Sequence, residues 1–291
     1  MEQAAVILKK GEGRTLKAGG SWIFDNEIDK VEGTPEDGSL VEVRDFDGYG
    51  MGTGFYNSRS KIRVRMMSRK AGQVIDRDFL RMRVQNAWDY RKKTVDTSSC
   101  RIIFGEADFF PGLTIDRFGS VLVAQTLSLG IEQRKDMLFR QLVRLLRESR
   151  ETIEALYERN DVRIRELEGM EQGKGFYAME GLRTDLPGVT EICENGILYE
   201  VDYVNGQKTG FFLDQKYNRL AAARLAPGRR VLDCFTHTGA FALNAAKAGA
   251  SHVCAVDVSA DALAMAICHA YSYRSLQYGV ALTRRQQMGY F

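Results

Sequence analysis

Two carboxylates stand where a nucleotide-type ligand would meet them. The run Val231-Leu232-Asp233-Cys234 is a short apolar strand ending in an acid, and the turn Phe235-Thr236-His237-Thr238-Gly239 then opens a helix. Past that helix, Cys254-Ala255-Val256-Asp257 repeats the pattern: a second apolar strand with an acid at its tip. Two parallel strands with functional groups at their C-terminal ends make the front of the ligand crevice of a doubly wound α/β sheet. The ligand class follows from charge. Asp233 would sit where a dinucleotide fold lays glycine backbone against a pyrophosphate, and a carboxylate there repels phosphate. The turn also offers only Gly239, not the three glycines of a dinucleotide fingerprint. A ligand with a cationic centre and no phosphate fits better, and S-adenosylmethionine (SAM) has that chemistry. Asp257 is then placed to accept hydrogen bonds from ribose hydroxyls.

The elements that must position these acids come late in the chain. Residues 190–204 read as a β-hairpin turning at Asn195-Gly196. A loop dense in charged and amide side chains, 205–219, leads into a short helix carrying Leu220, Ala221 and Leu225. Upstream, residues 1–72 read as a β-rich unit of short apolar runs punctuated by glycines, densest at 48–54. Within it, Lys61-Ile62-Arg63-Val64-Arg65-Met66 alternates strictly, which puts three cations on one strand face. With Arg59 they form either a solvated strand face or a phosphate-contacting surface. Residues 74–93 read as a connecting helix with apolar positions at 75, 79, 82 and 84. The segment 101–160 reads as α+β, with strands near 101–105, 113–118, 121–127 and 155–158. Its helix, 132–150, has Met137, Leu138, Leu142, Leu145 and Leu146 as the core face. The charged stretch 161–174 reads as an exposed loop.

Bulk properties narrow the class. A hydrophobic fraction of 44% with 27% charged residues describes a globular protein. No run approaches the length of a membrane span, and the charged start is unlike a signal peptide, so a cytoplasmic, non-membrane protein is expected. The five cysteines show no metal-binding spacing, which predicts neither a zinc site nor a disulfide framework. The net charge of +3 comes entirely from the last 25 residues, which hold Arg274, Arg284 and Arg285 and no acid. Any nucleic-acid contact must therefore use a local patch.

The words GQKTGFFLDQ, then Asn218-Arg219, then VLDCFTHTGAF, in that order, resemble the ribosomal RNA large-subunit methyltransferase I family of SAM-dependent cytosine-C5 methyltransferases. FGEADFFPGLTIDRFG resembles the central domain of that family, and the N-terminal unit resembles its PUA domain. The resemblance covers residues from about 5 to 266. It implies a multi-domain chain of α/β and β type: a PUA-like β-barrel RNA-binding domain (1–72), a linker helix and central α+β domain (73–188), and the N-terminal half of a Rossmann-like SAM methyltransferase domain (189–266). The tail 267–291 is unlike the family. The resemblance implies SAM as cofactor, ribosomal RNA as partner, and a SAM pocket formed by Asp233, Phe235, Thr238, Gly239 and Asp257. Phe211, Asp214, Gln215 and Arg219 would close over the methionine end. Arg59, Lys61, Arg63 and Arg65 are the expected RNA contacts, and a homodimer is a further expectation. Phe241 and Cys234 read as core residues, and His237 as a loop residue rather than a base.

The chain also departs from the family pattern. Cytosine-C5 methylation needs a cysteine thiolate to add to C6 of the base and an acid beside N3. In the family these lie in an Asp-Pro-Pro-containing segment and a later cysteine segment. Here no two prolines adjoin and none follows Pro227. Cys268 lies in the atypical tail and is not that nucleophile, so no catalytic residue and no metal ligand is assigned. The expectation is a truncated or frame-shifted product, inactive as it stands. The rival readings are a non-catalytic RNA-binding protein, an NAD(P)-dependent oxidoreductase and a guanine-amine methyltransferase; the last two are disfavoured by Asp233 and by the missing Asp-Pro-Pro segment.

Overall fold

A computed structural model describes residues 4–278. The chain divides between Leu186 and Pro187 into two compact units.

The first unit carries two sheets. One is built from β1 (Ala5–Leu8), β2 (Trp22–Phe24), β3 (Ile28–Glu32), β4 (Leu40–Arg44), β5 (Gly50–Tyr56) and β6 (Ile62–Ser68), with the one-turn helix α1 (Arg14–Lys17) between β1 and β2. Its strand order is β2-β6-β5-β4-β1-β3, with β1 and β4 parallel and the other pairs antiparallel. The alternate residues Val6, Leu8, Val41, Val43 and Val64 close a small core with Leu16 and Ile23. The glycines of 48–54 have a steric reason. A Cβ on Gly52, at φ +135°, would stand 2.0 Å from the carbonyl oxygen of Ser68, and one on Gly54 would stand 2.6 Å from that of Arg65. Only bare backbone lets β5 lie this close to β6.

The second sheet follows α2 (Arg77–Thr94). Asp76 caps α2 by accepting from the Phe79 N–H at 2.8 Å. The helix buries Leu80, Val84, Ala87 and Trp88, while Met82, expected on the core face, is 49% exposed. Packing against the sheet selected the row 80-84-87-88 over the weaker sequence row through 79 and 82. Strands β7 (Ser99–Phe104), β8 (Leu113–Phe118) and β9 (Val121–Thr126) form a meander; α3 (Leu129–Glu132) and α4 (Lys135–Glu148) then cross to β10 (Ala155–Asn160), which pairs in parallel with β9. The α4 face Leu138, Phe139, Leu142, Val143, Leu146 is buried, with Met137 and Leu145 at its margin.

The stretch 161–174 is not an exposed loop. It contains α5 (Ile164–Leu167) and leads into β11 (Gly173–Phe176), which pairs with β10. Two of its charges, Arg165 and Glu168, are buried because each finds a partner. Arg165 donates to the Thr126 carbonyl and to Glu132 at 2.9 Å, and Glu168 accepts from Arg65 at 2.7 Å and from the Ser60 hydroxyl at 2.5 Å. Burial of a charge is tolerable only when it is paired in this way.

The second unit begins with the hairpin β12 (Val189–Glu194) and β13 (Ile197–Asp202). Asn195 and Gly196 both have positive φ, 56° and 71°, as a two-residue hairpin turn requires. Then come α6 (Lys216–Ala223), β14 (Arg230–Cys234), α7 (Ala240–Lys247), β15 (His252–Val256) and α8 (Ala260–Tyr278). Strands β14 and β15 are parallel and in register from Arg230 opposite His252 to Cys234 opposite Val256, so their acids emerge at the same end. Helix α8 runs through Tyr278, past the expected domain boundary at 266. His269 anchors it: its ring is 2% exposed, Nε2 accepts from the Glu200 N–H at 2.9 Å, and Nδ1 lies 3.0 Å from the Thr238 carbonyl. The remainder of the expected atypical tail, 279–291, lies outside the described residues.

Candidate functional site

The site grows from the turn between β14 and α7. Asp233 does not line the cleft described below. One of its carboxylate oxygens, Oδ2, accepts from the Thr236 hydroxyl at 2.5 Å and from the Ala242 N–H at 3.0 Å, tying the strand end to the start of α7. With the turn so tied, three of the five residues from 235 to 239 take positive φ: Phe235 at 59°, His237 at 51° and Gly239 at 76°. Two non-glycine residues in this region within three positions mark a loop whose shape is imposed by its surroundings. Gly239 is needed for a second reason. A Cβ there would come within 2.8 Å of the Ala266 Cβ, so glycine lets α8 approach.

The turn forms one wall of a cleft of about 800 Å3, a size that suits a nucleoside-bearing ligand. Phe235, His237 and Thr238 line it from the turn. Asp257, Val258 and Ser259 line it from beyond β15, Asp202 and Asn205 from the end of β13, and Gly210 and Phe212 from the loop before α6. Asp257 accepts from the His237 N–H at 2.8 Å and from the Ser259 N–H at 2.9 Å. The Ser259 N–H, and after it that of His237, holds the Asp257 carboxyl below the usual carboxylate range, so it is an ionised acceptor at neutral pH. Burial lowers His237 from its ordinary value, which keeps the imidazole neutral, and its ring meets Phe212 edge-on at 5.0 Å.

Charge separates the ligand classes. Asp202, Asp257 and Asp261 line the cleft, and among the described residues no lysine or arginine lines it. Such a cleft suits a cationic nucleoside and disfavours a pyrophosphate. SAM fits these residues: Asp257 for its ribose, and carboxylates around its positive centre.

The expected pocket residues are thus brought together only in part. Phe235, Thr238 and Asp257 line the cleft, and Asp233 and Gly239 build the turn behind it. Phe211 and Arg219 do not reach it. Phe211 is 2% exposed and packs against Tyr199, with ring centroids 5.2 Å apart. Arg219, also 2% exposed, pairs with Glu194 at 3.0 Å and donates to the Phe212 carbonyl at 2.7 Å. The pair holds the backbone of Phe212, the neighbour that does enter the cleft. Asp214 is exposed and bonded to Gln215 at 3.1 Å, and neither lines the cleft. Phe212, His237, Asp202 and Asp261 are among the contributors that sequence reasoning passed over; the double aromatic Phe211-Phe212 was the available signal for the first.

Cys234 and Cys254 are exposed, not core. Helix α7 packs against β14 and β15, and among the described residues nothing covers the face that carries Leu232, Cys234, Cys254 and Val256. On the expected RNA surface, Arg59 and Lys61 are exposed and Arg63 is half-buried, donating to the Ser58 carbonyl. Arg65 is no surface cation. It is 5% exposed, paired with Glu168 and lying over the Trp22 ring at 5.6 Å.

Residues 6–69 match the PUA-like domain family, and residues 144–272 match the S-adenosylmethionine-dependent methyltransferase family. The chain is 42% identical over 263 residues to ribosomal RNA large subunit methyltransferase I of Shewanella frigidimarina and 38% identical to that of Pseudoalteromonas translucida. Each alignment covers 89% of this chain. Over that length the chain is similar to the ribosomal RNA large-subunit methyltransferase I family. It spans 64% of the length of these two family members. In fold it is similar to a SAM-dependent methyltransferase assignment from Streptococcus mutans, with a TM-score of 0.73 at 22% identity over 93% of this chain and 67% of that one. A methyltransferase assignment solved with SAH gives 0.74 at 22% identity, over 93% of this chain and 66% of that one. The family resemblance and the fold class read from the sequence are borne out. No helix among the described residues is long and apolar enough to cross a membrane.

Proposed function

We propose that this chain carries the SAM-binding half and the RNA-binding unit of a methyltransferase acting on C5 of a cytosine in large-subunit ribosomal RNA. The observation that carries the reading is the acidic cleft, lined by no lysine or arginine among the described residues, with Asp257 ionised at its rim. The relatives' name supplies the substrate class. Bound SAM would supply an electrophilic methyl group. The chain's part is to hold the ribose at Asp257, to shape the turn through Asp233 and to seat Phe212 and Phe235 along the cleft. The three-part division 1–72, 73–188 and 189–266, a cytoplasmic location and self-association belong to the same proposal, the last tested by sedimentation. Arg59, Lys61 and Arg63 are the RNA contacts within it.

Among the described residues no cysteine lines the cleft. Cys234 and Cys254 lie on the exposed strand face and Cys268 is half-buried on α8. Cytosine C5 becomes nucleophilic enough only after a thiolate adds to C6, so the 291 residues are expected to bind SAM without transferring its methyl group to C5. Calorimetry with SAM and SAH tests the binding half. The expected result is binding weaker than micromolar that Asp257→Ala abolishes; equal binding by the variant would remove Asp257 from the ribose role. Labelled-methyl transfer to unmodified ribosomal RNA tests the other half, and transfer by this chain above an Asp233→Ala control would overturn the expected inactivity.

A further inference from the structure

A second cleft lies wholly within the first unit. It is about 640 Å3 in volume and opens between α2 and the turn that follows β7. Three aromatic rings on it are more than half exposed: Tyr90 at 59%, Phe104 at 54% and Phe109 at 54%. Single exposed aromatics need no explanation, but three lining one cleft mark a contact surface.

Each ring is backed by an arginine. The Arg91 guanidinium lies 5.2 Å from the Tyr90 centroid, Arg101 lies 5.1 Å from Phe104, and Arg83 lies 5.3 Å from Phe109 and 4.2 Å from Phe79. The platform is rigid. Asp108 accepts from Arg91 at 3.0 and 2.5 Å and from the Phe104 N–H at 2.7 Å, and Arg83 donates to the Phe109 carbonyl at 2.6 Å. Phe109 itself sits at φ 60°, a conformation that a bulky residue adopts only under constraint, with its ring turned to solvent. No acid pairs with Arg83 among the described residues. Burial pulls its guanidinium down to about 10, still protonated at neutral pH.

Helix α2 holds six basic and two acidic residues. A smaller cleft along the same helix is lined by Arg77 and Arg81 together with Asp78, and by Arg140 and Arg144, which pair with Asp136 and Glu148 at 2.9 and 2.7 Å. Aromatic faces backed by arginines, beside a basic helix, are the two components that single-strand binders combine: stacking for bases and cations for the backbone. A protein partner would not need the cationic backing of each ring. From this juxtaposition we propose that the cleft between α2 and the turn after β7 is a stacking subsite for unpaired bases of RNA, with the α2 arginines tracking the phosphates.

The inference rests on the RNA-directed reading above, but it is separable from SAM binding and from the β6 cations. The test uses the 291-residue chain and a labelled single-stranded oligouridine, followed by fluorescence anisotropy. Tyr90→Ala and Phe104→Ala should each weaken binding about tenfold. Phe104→Tyr, which keeps a ring, should restore it, and an oligomer of the same length with abasic linkers should bind like the alanine variants. Thermal midpoints report whether the alanine variants fold, and the tyrosine variant carries the test if they do not. Wild-type affinity in the alanine variants, equal binding of the abasic strand, no binding of oligouridine, or a loss of self-association in Phe104→Ala would each overturn the subsite. Loss of SAM binding with oligouridine binding intact would instead count against the proposed function alone.

Discussion

At the scale of single residues, the same charged side chain does opposite work depending on what surrounds it. Arg65 and Lys61 alternate along one strand, yet Lys61 meets water while Arg65 closes a buried pair with Glu168, their side chains 6% and 3% exposed. Removing one member of such a pair leaves an uncompensated buried charge, so Arg65→Ala should destabilise the first unit by about 3–5 kcal/mol. Urea unfolding measures this. A loss below about 1 kcal/mol would return Arg65 to the surface class. His269 shows the complementary effect of burial. Its Nε2 accepts from the Glu200 N–H, so the ring is held neutral, and desolvation lowers its proton affinity in the folded state. His237 is lowered in the same sense. The unfolded chain binds these protons near pH 6.5 and the folded chain resists them, so stability is full above about 6.5 and falls as pH drops below it. The melting temperature of the second unit is expected to be lower at pH 5.5 than at pH 7.5, and His269→Asn to flatten that dependence. A pH-independent melt in the wild type would exclude this linkage.

At the scale of elements, the register of packing rather than propensity selects what is buried. On α2, Trp88 is fully buried and its indole N–H donates to Ser149 at 3.1 Å, while Met82 six residues earlier is half exposed. Trp88→Ala should cost about 3–5 kcal/mol and Met82→Ala little, both measured by denaturant midpoint. Between β5 and β6 the close approach at Gly52 leaves no room for a side chain, and its positive φ adds strain to any substitution. Gly52→Ala is expected to lower stability by more than the roughly 1 kcal/mol of an ordinary glycine position. The β14–α7 turn is an element of the same kind. Asp233 holds it from behind, so Asp233→Asn, which keeps the shape, should reduce SAM binding less than Asp257→Ala does. Calorimetry ranks the two, and a greater loss in Asp233→Asn would make Asp233 a direct ligand.

At the scale of the whole molecule, binding of structured RNA should depend steeply on salt through Arg59, Lys61 and Arg63. Replacing all three with glutamate is expected to reduce the slope of log affinity against log salt by about 1 per phosphate that is no longer neutralised. An unchanged slope would mean this surface is only solvated. Much of this organisation was legible in the chain: the glycine-punctuated β unit, the Asn195-Gly196 hairpin, and the two apolar strands that deliver Asp233 and Asp257 to the same end. Those features are local, because turn chemistry, alternation and strand-terminal acids act over a few residues. The order of the rare words VLDCFTHTGAF and FGEADFFPG was likewise enough to point to the family. Tertiary contacts decided the rest. Phe211 and Phe212 look equivalent in sequence, and only the Arg219–Glu194 pair beneath them settles which ring is core and which enters the cleft. Arg165 and Glu168 look like loop charges until partners more than thirty residues away make their burial affordable. Local pattern fixes which elements form and where their ends lie. A side chain's burial depends on groups distant in sequence, and therefore on the folded arrangement alone.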